Sequence, residues 1–561
     1  MTAVDTRHDL LSDPAESSID SPLLSIRDLR VAFGATEVVH GVDIDVRRRQ
    51  VMGLVGESGS GKTVTSRAII NLLRPPGRVT RGSIRFAGKE LVGLPDKDWE
   101  SIRGNRIAMI FQDPLSALNP AMRIGAQVAE TLEAHGVAGA AARARAIELL
   151  DRVGIPNAKD RYRAYPHEFS GGQRQRVVIA AALANNPELI IADEPTTALD
   201  VTVQAQILAL LNDLRRDYEL ATLFITHDLG VVAELCDDVT VMRRGHVVEQ
   251  APAAQLFTTP GHEYTKLLLS AVPRIDAPAA ASRDPQHTVP ALVVSDLRVD
   301  VTPGRGLFRR NQPTFAVDGV SLEVFPGETL GLVGESGCGK STLSRAIAGL
   351  LPSCEGTITV DGVDVTARRI GDTSRRQLQY VFQDAAAALN PLRSLRQSLE
   401  EARAAAPSDA SAPTAAELMD LVGLDPAWLD RRPGTLSGGQ RQRVGIARAL
   451  AAGPRVLLCD EPVSALDVSI QAQIIALLSR LRDELGVGIL FIAHDLAVVK
   501  QLSDRVAVMQ KGRIVETGPV ADVYLRPQHT YTRQLLSASP IPEVGAAREA
   551  ALQARAGWGN G

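Results

Sequence analysis

Short apolar runs bounded by glycine or polar residues punctuate the chain, and six of them form three matched pairs. VMGLV (51–55), LIIAD (189–193) and TLFIT (222–226) come first; TLGLV (329–333), VLLCD (456–460) and ILFIA (489–493) follow in the same order. Their length and β-branched content predict strands buried on both faces of a sheet. Helix-like stretches follow them, such as TVTSRAIINLL (63–73). The alternation predicts α/β domains.

The longer pattern is repetition. GLVGESGSGKT at Gly53–Thr63 returns as GLVGESGCGKS at Gly331–Ser341, while SGGQRQRV returns from Ser170 to Ser437, DEP from Asp193 to Asp460 and HDL from His227 to His494. A period this long implies a duplicated domain, since solenoid units are far shorter. The expected organisation is a disordered tail over 1–22, a first domain over 23–272, a Pro/Ala-rich linker over 273–290, a second domain over 291–540 and a mobile tail over 541–561. Prolines 273, 278, 285 and 290 mark the linker. The Ala, Ser and Pro stretch Ala402–Ala415 reads as a surface loop inside the second copy.

Composition sharpens this outline. The 561 residues are 45% hydrophobic and 22% charged, with a formal net charge of −4, so no excess of cations points to nucleic acid. Apolar runs such as Val177–Ala184 are far too short to cross a membrane. The first 20 residues carry Asp5, Asp9, Asp13, Glu16 and Asp20 without the basic and apolar regions of a signal peptide, which predicts a cytoplasmic protein. Cys236, Cys338, Cys354 and Cys459 lack the spacing of a zinc site or disulfide framework.

Two segments carry the clearest chemistry. Gly56–Thr63 (Gly56, Glu57, Ser58, Gly59, Ser60, Gly61, Lys62, Thr63) and Gly334–Ser341 (Gly334, Glu335, Ser336, Gly337, Cys338, Gly339, Lys340, Ser341) fit the phosphate-binding loop, each between a predicted strand and a predicted helix. Backbone N–H groups at a helix N-terminus cradle phosphate oxygens there. Lys62 and Lys340 are expected at the β and γ phosphates, with Thr63 and Ser341 on magnesium. Asp193 and Asp460 end apolar strands, where a carboxylate holds magnesium; Glu194 and Glu461 next to them are expected to orient or deprotonate the attacking water.

FSGGQ at Phe169–Gln173 and LSGGQ at Leu436–Gln440 resemble the signature of ABC ATPases, and the resemblance covers roughly residues 24–540. It implies two P-loop ABC ATPase domains, each a RecA-like α/β core with an antiparallel β subdomain and a helical signature subdomain. It also implies that Ser170, Gly171, Gly172 and Gln173, with Ser437, Gly438, Gly439 and Gln440, contact nucleotide held by the opposite domain. Gln112 and Gln383 resemble the Q-loop glutamine that senses the metal and contacts the membrane partner. His227 and His494 resemble the switch histidine, and Asp200 and Asp467 the D-loop. Phe33 resembles the aromatic that stacks on adenine; the matching position in the second copy is Val301, with Phe308 and Phe315 as alternatives. The arginines of QRQR (174, 176, 441 and 443) read as helix-surface residues.

DEPTTALDVTVQAQILALL (193–211), DEPVSALDVSIQAQIIALL (460–478), FQDPLSALNP (111–120), YPHEFSGGQ (165–173), HEYTKLLLSAVP (262–273) and HTYTRQLLSASP (529–540) are similar to ATP-binding subunits of the dipeptide, oligopeptide and nickel importers. This resemblance implies ATP and Mg2+ as ligands, two integral-membrane permease subunits and an extracytoplasmic solute-binding protein as partners, an internal dimer of the two ATPase domains, and a peripheral position on the cytoplasmic face of the membrane. Peptides are the expected cargo, nickel or another small solute the alternative. A soluble tandem cassette acting on ribosomes is disfavoured by the short, nearly uncharged linker. No cysteine cluster follows the HxYT segments, so no iron–sulfur centre is expected. Ala385 stands where the first copy has Pro114. Cys338, beside a helix N-terminus and Lys340, is expected to favour the thiolate, so that alkylation inactivates the second site and ATP protects it.

Overall fold

The computed structural model describes residues 21–196, 199–276, 289–302, 314–353, 355–366, 374–404, 413–464 and 466–556. The chain forms two compact units, one of Met1–Thr197 with Ile207–Thr265, the other of Ala198–Gln206 with Lys266–Gly561.

In the first unit an antiparallel sheet orders Thr36–Val46, Leu24–Phe33, Gly77–Phe86 and Lys89–Glu90. A six-stranded sheet orders His246–Pro252, Asp238–Arg243, Val51–Val55, Ala221–Ile225, Leu189–Asp193 and Ile107–Ile110. All its neighbours are parallel except the edge pair His246–Pro252 and Asp238–Arg243. Val51–Val55 and Leu189–Asp193 are buried at every residue, the burial that their unbroken apolar sequence predicts. Leu54, Ile191, Leu223 and Ile225 join Ile26, Val42 and Ile84 of the antiparallel sheet in one core. Helices Ile124–Glu133, Gly139–Arg152 and Gly171–Leu183 pack on one another.

The second unit repeats this plan. Phe315–Val324, Leu292–Asp300, Glu355–Val360 and Val363–Asp364 form the antiparallel sheet. Leu378–Val381, Val456–Asp460, Gly488–Ile492, Thr329–Val333, Arg505–Gln510 and Arg513–Pro519 form the larger one. Among the described residues its helical part is shorter: Ala415–Leu421 spans 7 residues where the first unit has the 14 of Gly139–Arg152.

Two segments differ from expectation. Residues 541–561, read as a mobile tail, contain the helix Gly545–Ala556, with Ile541 buried and the Arg555 guanidinium donating to Ser539 O at 2.5 Å. Alanine-rich sequence has high helix propensity, and the buried Ile541 supplies the packing that a free tail lacks. At the start of the expected linker, Ile275 is buried in the core of the second unit and its carbonyl accepts from Lys500 Nζ at 2.7 Å. The expected N-terminal tail up to residue 20, most of the linker, Phe308, Cys354 and residues 405–412 of the expected surface loop lie outside the described residues.

Candidate nucleotide sites

Each phosphate-binding loop leaves the central strand of its sheet and turns into a helix, Lys62–Ile69 or Lys340–Ile347. The turn requires glycine. Gly56 has φ 149°, and a Cβ there would lie 2.2 Å from Met242 O; at Gly334, φ 153°, it would lie 2.2 Å from Met509 O. The lysines are almost fully buried. Lys62 Nζ donates to Gly56 O (2.7 Å) and Glu57 O (2.9 Å), and Lys340 Nζ to Gly334 O and Glu335 O at the same two distances. An ammonium held inside a backbone ring at a helix N-terminus suits a polyanion. Ser60 Oγ is buried there without a hydrogen-bond partner, a further polar atom suited to an anion's oxygen.

Across from each loop stands the acidic strand end. Thr63 Oγ1 donates to Asp193 Oδ1 at 3.2 Å and Ser341 Oγ to Asp460 Oδ1 at 3.0 Å. A hydroxyl paired with a carboxylate is an all-oxygen donor set of the kind magnesium takes. Burial raises the Asp193 carboxyl above the usual carboxylate range, against the Thr63 hydrogen bond. A cation at this site removes that penalty by restoring a partner for the charge.

The next residue leaves the sheet abruptly. Glu194 and Glu461 sit at φ 48° and 47°, the left-handed region, which costs a non-glycine residue about 1–2 kcal/mol. Their N–H groups remain bonded to the neighbouring strand, at Ile225 O and Ile492 O. The twist turns each carboxylate out to meet a glutamine and a histidine. Gln112 Nε2 donates to Glu194 Oε2 at 2.8 Å, and His227 Nδ1 lies 3.3 Å from Glu194 Oε1. In the second unit Gln383 Nε2 donates to Glu461 Oε2 at 2.9 Å, with His494 Nδ1 at 3.8 Å. The Glu194 carboxylate raises the His227 pKa, outweighing burial. Burial alone pulls His494 down, yet Glu461 beside it carries the net shift upward, while His494 holds Glu461 below the usual carboxylate range.

The signature segments head the helices Gly171–Leu183 and Gly438–Leu450. Ser170 Oγ accepts from Gln173 N–H and Gln173 Oε1 from Ser170 N–H; Ser437 and Gln440 do the same, closing a capping box at each start. Gly439 is required for packing, because a Cβ there would lie 2.4 Å from Ile470 Cγ2. Asp200 accepts from Val203 N–H at 3.0 Å and Asp467 is the N-cap residue of Val468–Leu485.

The remaining expected residues have the following surroundings. Phe33 ends its strand against Gly77, where a Cβ would lie 2.7 Å from its ring; Val301, its counterpart, is exposed, and the Phe315 ring lies under the Arg298 guanidinium at 5.9 Å. Ala385 begins the short helix Ala385–Ala388 much as Pro114 begins Pro114–Ala117, so the loss of proline leaves the turn in place. Cys338 corrects an expectation. It is buried, and burial raises its thiol pKa despite Lys340 nearby, so the thiolate is disfavoured.

Sequence reasoning missed two sets of tyrosines. Tyr380, which occupies the position that Met109 holds in the first copy of the sequence, donates its hydroxyl to Asp460 Oδ2 at 2.6 Å and pairs with Ser344 Oγ at 3.0 Å. Tyr264 and Tyr531 of the HxYT segments reach the phosphate-binding loops, accepting from Glu57 N–H at 3.4 Å and Glu335 N–H at 2.9 Å. The HxYT repetition itself was the available signal, though it carried no hint of which group each tyrosine meets.

A phosphate-binding loop facing an Asp–Glu strand end, with a capped SGGQ helix just before that strand in sequence, defines an ATP-hydrolysing cassette, and the comparisons agree. The ABC transporter family matches residues 39–197 and 317–464, and the oligopeptide/dipeptide transporter C-terminal region matches 248–295 and 515–557. The chain belongs to the ABC transporter family of ATP-binding subunits and is an ATPase of that class.

Among individual relatives, it is 46% identical to the peptidoglycan transport ATP-binding protein YejF of Agrobacterium fabrum, over 92% of this chain and 96% of that one. The glutathione import ATP-binding protein GsiA of Pectobacterium atrosepticum is 45% identical over 93% and 90%. The oligopeptide transport ATP-binding protein OppD of Mycobacterium tuberculosis is 42% identical over 93% and 99%. Among the described residues no helix is long and apolar enough to cross a membrane.

Proposed function

We propose that this chain is the complete motor of a peptide importer, supplying both ATPase domains to two separate permease subunits that receive cargo from an extracytoplasmic solute-binding protein. The observation that carries this reading is the repetition, in both halves, of an intact Gln–Glu–His cluster together with the oligopeptide/dipeptide C-terminal region. YejF, GsiA and OppD are named for peptidoglycan, glutathione and oligopeptide; all three cargoes contain peptide linkages, which favours peptides over nickel.

In this reading the loops Gly56–Thr63 and Gly334–Ser341 hold ATP phosphates, with Lys62 and Lys340 as the buried cations. Thr63, Asp193 and Gln112, and Ser341, Asp460 and Gln383, hold Mg2+, which neutralises phosphate charge when bound. Glu194 and Glu461 orient and deprotonate water, and His227 and His494 fix those carboxylates. Phe33 stacks on adenine in the first site. Each site is completed by the SGGQ segment of the other half, with Asp200 and Asp467 joining the two, so ATP binding favours closure and hydrolysis favours opening. That difference in affinity between states performs work on the permeases. The protein acts peripherally, on the cytoplasmic face of the membrane.

The test is to tag the chain, solubilise membranes gently and identify what co-purifies by mass spectrometry. Two permeases and a solute-binding protein whose ligand is a peptide are expected. Ribosomes without permeases would overturn the proposal, and a nickel-bound binding protein would overturn the peptide assignment.

A further inference from the structure

The HxYT segments are built alike in both units, and their construction ends at the phosphate-binding loop. Glu249 accepts from Gly261 N–H (2.7 Å) and His262 N–H (3.0 Å), and His262 Nδ1 accepts from Tyr264 N–H (3.0 Å). In the second unit Glu516 accepts from Gln528 N–H and His529 N–H, and His529 Nδ1 accepts from Tyr531 N–H at 3.2 Å. A carboxylate and an imidazole thus fix the backbone that aims each tyrosine. The rings are nearly fully buried, and the Arg243 guanidinium covers that of Tyr264 at 4.6 Å. Burial raises both phenols, Tyr264 to about 12, so each hydroxyl stays neutral at ordinary pH.

What the hydroxyls hold is one peptide plane. The amide joining Gly56 to Glu57 gives its N–H to Tyr264 Oη and receives Lys62 Nζ on its carbonyl; the amide joining Gly334 to Glu335 is held in the same way by Tyr531 and Lys340. Because a peptide group is rigid, turning its N–H away from the tyrosine also turns the carbonyl that holds the lysine. The contact joins residues 207 apart in the first unit and 196 apart in the second, so its occurrence in both copies is a repeated tertiary feature rather than a local turn.

We propose that Tyr264 and Tyr531 are positioning residues for ATP binding, each fixing the peptide plane that orients its P-loop lysine. The region after each cassette is thereby part of its nucleotide site. This inference rests on the reading of the two loops as the ATP sites.

The experiment uses the full chain with one site disabled. Tyr531→Phe is placed in a Lys62→Ala background and Tyr264→Phe in a Lys340→Ala background, each substitution removing a hydroxyl while keeping the ring. Binding of a fluorescent N-methylanthraniloyl ATP is measured in these backgrounds, and ATP KM and kcat of each tyrosine variant in the otherwise wild-type chain, where both sites turn over. Loss of one short neutral hydrogen bond to a buried amide predicts about a tenfold rise in Kd and KM for Tyr531→Phe. The longer bond predicts about threefold for Tyr264→Phe. KM is expected to rise more than kcat falls, whereas general destabilisation would lower Tm and kcat together. Unchanged Kd at unchanged Tm overturns the inference. Amide hydrogen exchange on the nucleotide-free wild type covers the case in which a variant fails to fold: Glu57 and Glu335 amides are expected to be protected, and rapid exchange at both overturns it equally. The Lys62→Ala, Lys340→Ala double variant separates the two readings. If it still binds the nucleotide, the site reading itself fails; if it does not, and the tyrosine variants bind normally, only the inference fails.

Discussion

The two candidate sites carry the same lysine, aspartate, glutamate, glutamine and histidine but tie them down differently. In the first, the Asp193 carboxylate takes a hydroxyl from Thr63, and Glu194 holds His227 at 3.3 Å. In the second, Asp460 takes hydroxyls from both Ser341 and Tyr380, the tyrosine contact to the loop shortens to 2.9 Å, and His494 stands back from Glu461 at 3.8 Å. Gln383 there also donates to Ser464 Oγ at 3.2 Å. The second site is the more firmly braced around its Asp460 carboxylate and its loop, the first around its Glu–His pair. The two copies keep the same candidate residues while the groups supporting them diverge, and it is those supports that set the precision of a site.

The largest test asks whether both halves hydrolyse. Glu194→Gln and Glu461→Gln are each expected to lower steady-state ATPase about a hundredfold, the range of a positioned general base, because opening requires hydrolysis in a shared cycle. Phosphate release assays on the two single variants check this. A variant that keeps half of the wild-type rate would show that the halves fire independently, and a large loss in only one would make the other site a passive binder.

Next in size is the metal brace. Tyr380→Phe, measured with the first site disabled by Lys62→Ala, is expected to weaken Mn2+ binding about tenfold by electron paramagnetic resonance titration in the presence of a non-hydrolysable ATP analogue. That is the lower end of the effect of removing a group that orients a metal ligand. The reciprocal Met109→Tyr in the first site, where Ser66 Oγ already lies against Thr63 O at 2.9 Å, is expected to narrow the difference. Equal Mn2+ affinity before and after Tyr380→Phe would erase the distinction drawn between the sites.

The Glu–His pairs give a smaller, pH-dependent effect. Both histidines have raised pKa values in the folded protein. The folded state therefore binds the proton more tightly than the unfolded chain, so the contribution to stability is complete below the ordinary imidazole value of about 6.5 and is lost as pH rises through the folded value. Glu461, held low, contributes above the ordinary carboxylate range and loses that contribution as pH falls through its folded value. NMR titration of His227 and His494 is expected to give midpoints above 6.5. The Tm advantage of wild type over His227→Gln is expected to shrink between pH 6 and pH 8; a constant advantage would mean that the imidazolium is not the stabilising form.

Much of this was legible in the sequence, for a physical reason. VMGLV, LIIAD, TLGLV and VLLCD are strands at their expected residues, because buried parallel strands need continuous apolar runs and announce themselves. Lys62, Thr63, Lys340 and Ser341 follow from local spacing, since glycines, cation and hydroxyl lie within one turn of chain. The left-handed glutamates, the Tyr380 contact with Asp460 and the HxYT tyrosines on the loops were not legible. Each depends on which strand end or helix start the fold brings alongside, across separations of 80 to 207 residues. The helix Gly545–Ala556 was misread because alanine-rich sequence is compatible with both a free tail and a helix, and packing decides between them.

The smallest expected difference concerns position 338, where the first loop has Ser60. Proximity to Lys340 suggested an activated thiol, and the ammonium does lie 3.9 Å from Cys338 Sγ. That charge is already engaged by the carbonyls of Gly334 and Glu335, and desolvation of the thiolate in the buried loop exceeds what remains of the attraction. Cys338 is therefore expected to react with iodoacetamide at pH 7.5 more than about tenfold slower than a free thiol, which already exists mostly as the unreactive acid at that pH. Cys338→Ser, close in shape, is expected to move the ATP KM of the second site by less than about twofold. Mass-spectrometric alkylation rates on the native chain decide the matter. Fast labelling suppressed by ATP would restore the activated thiol and make position 338, rather than Tyr380, the main divergence between the two sites.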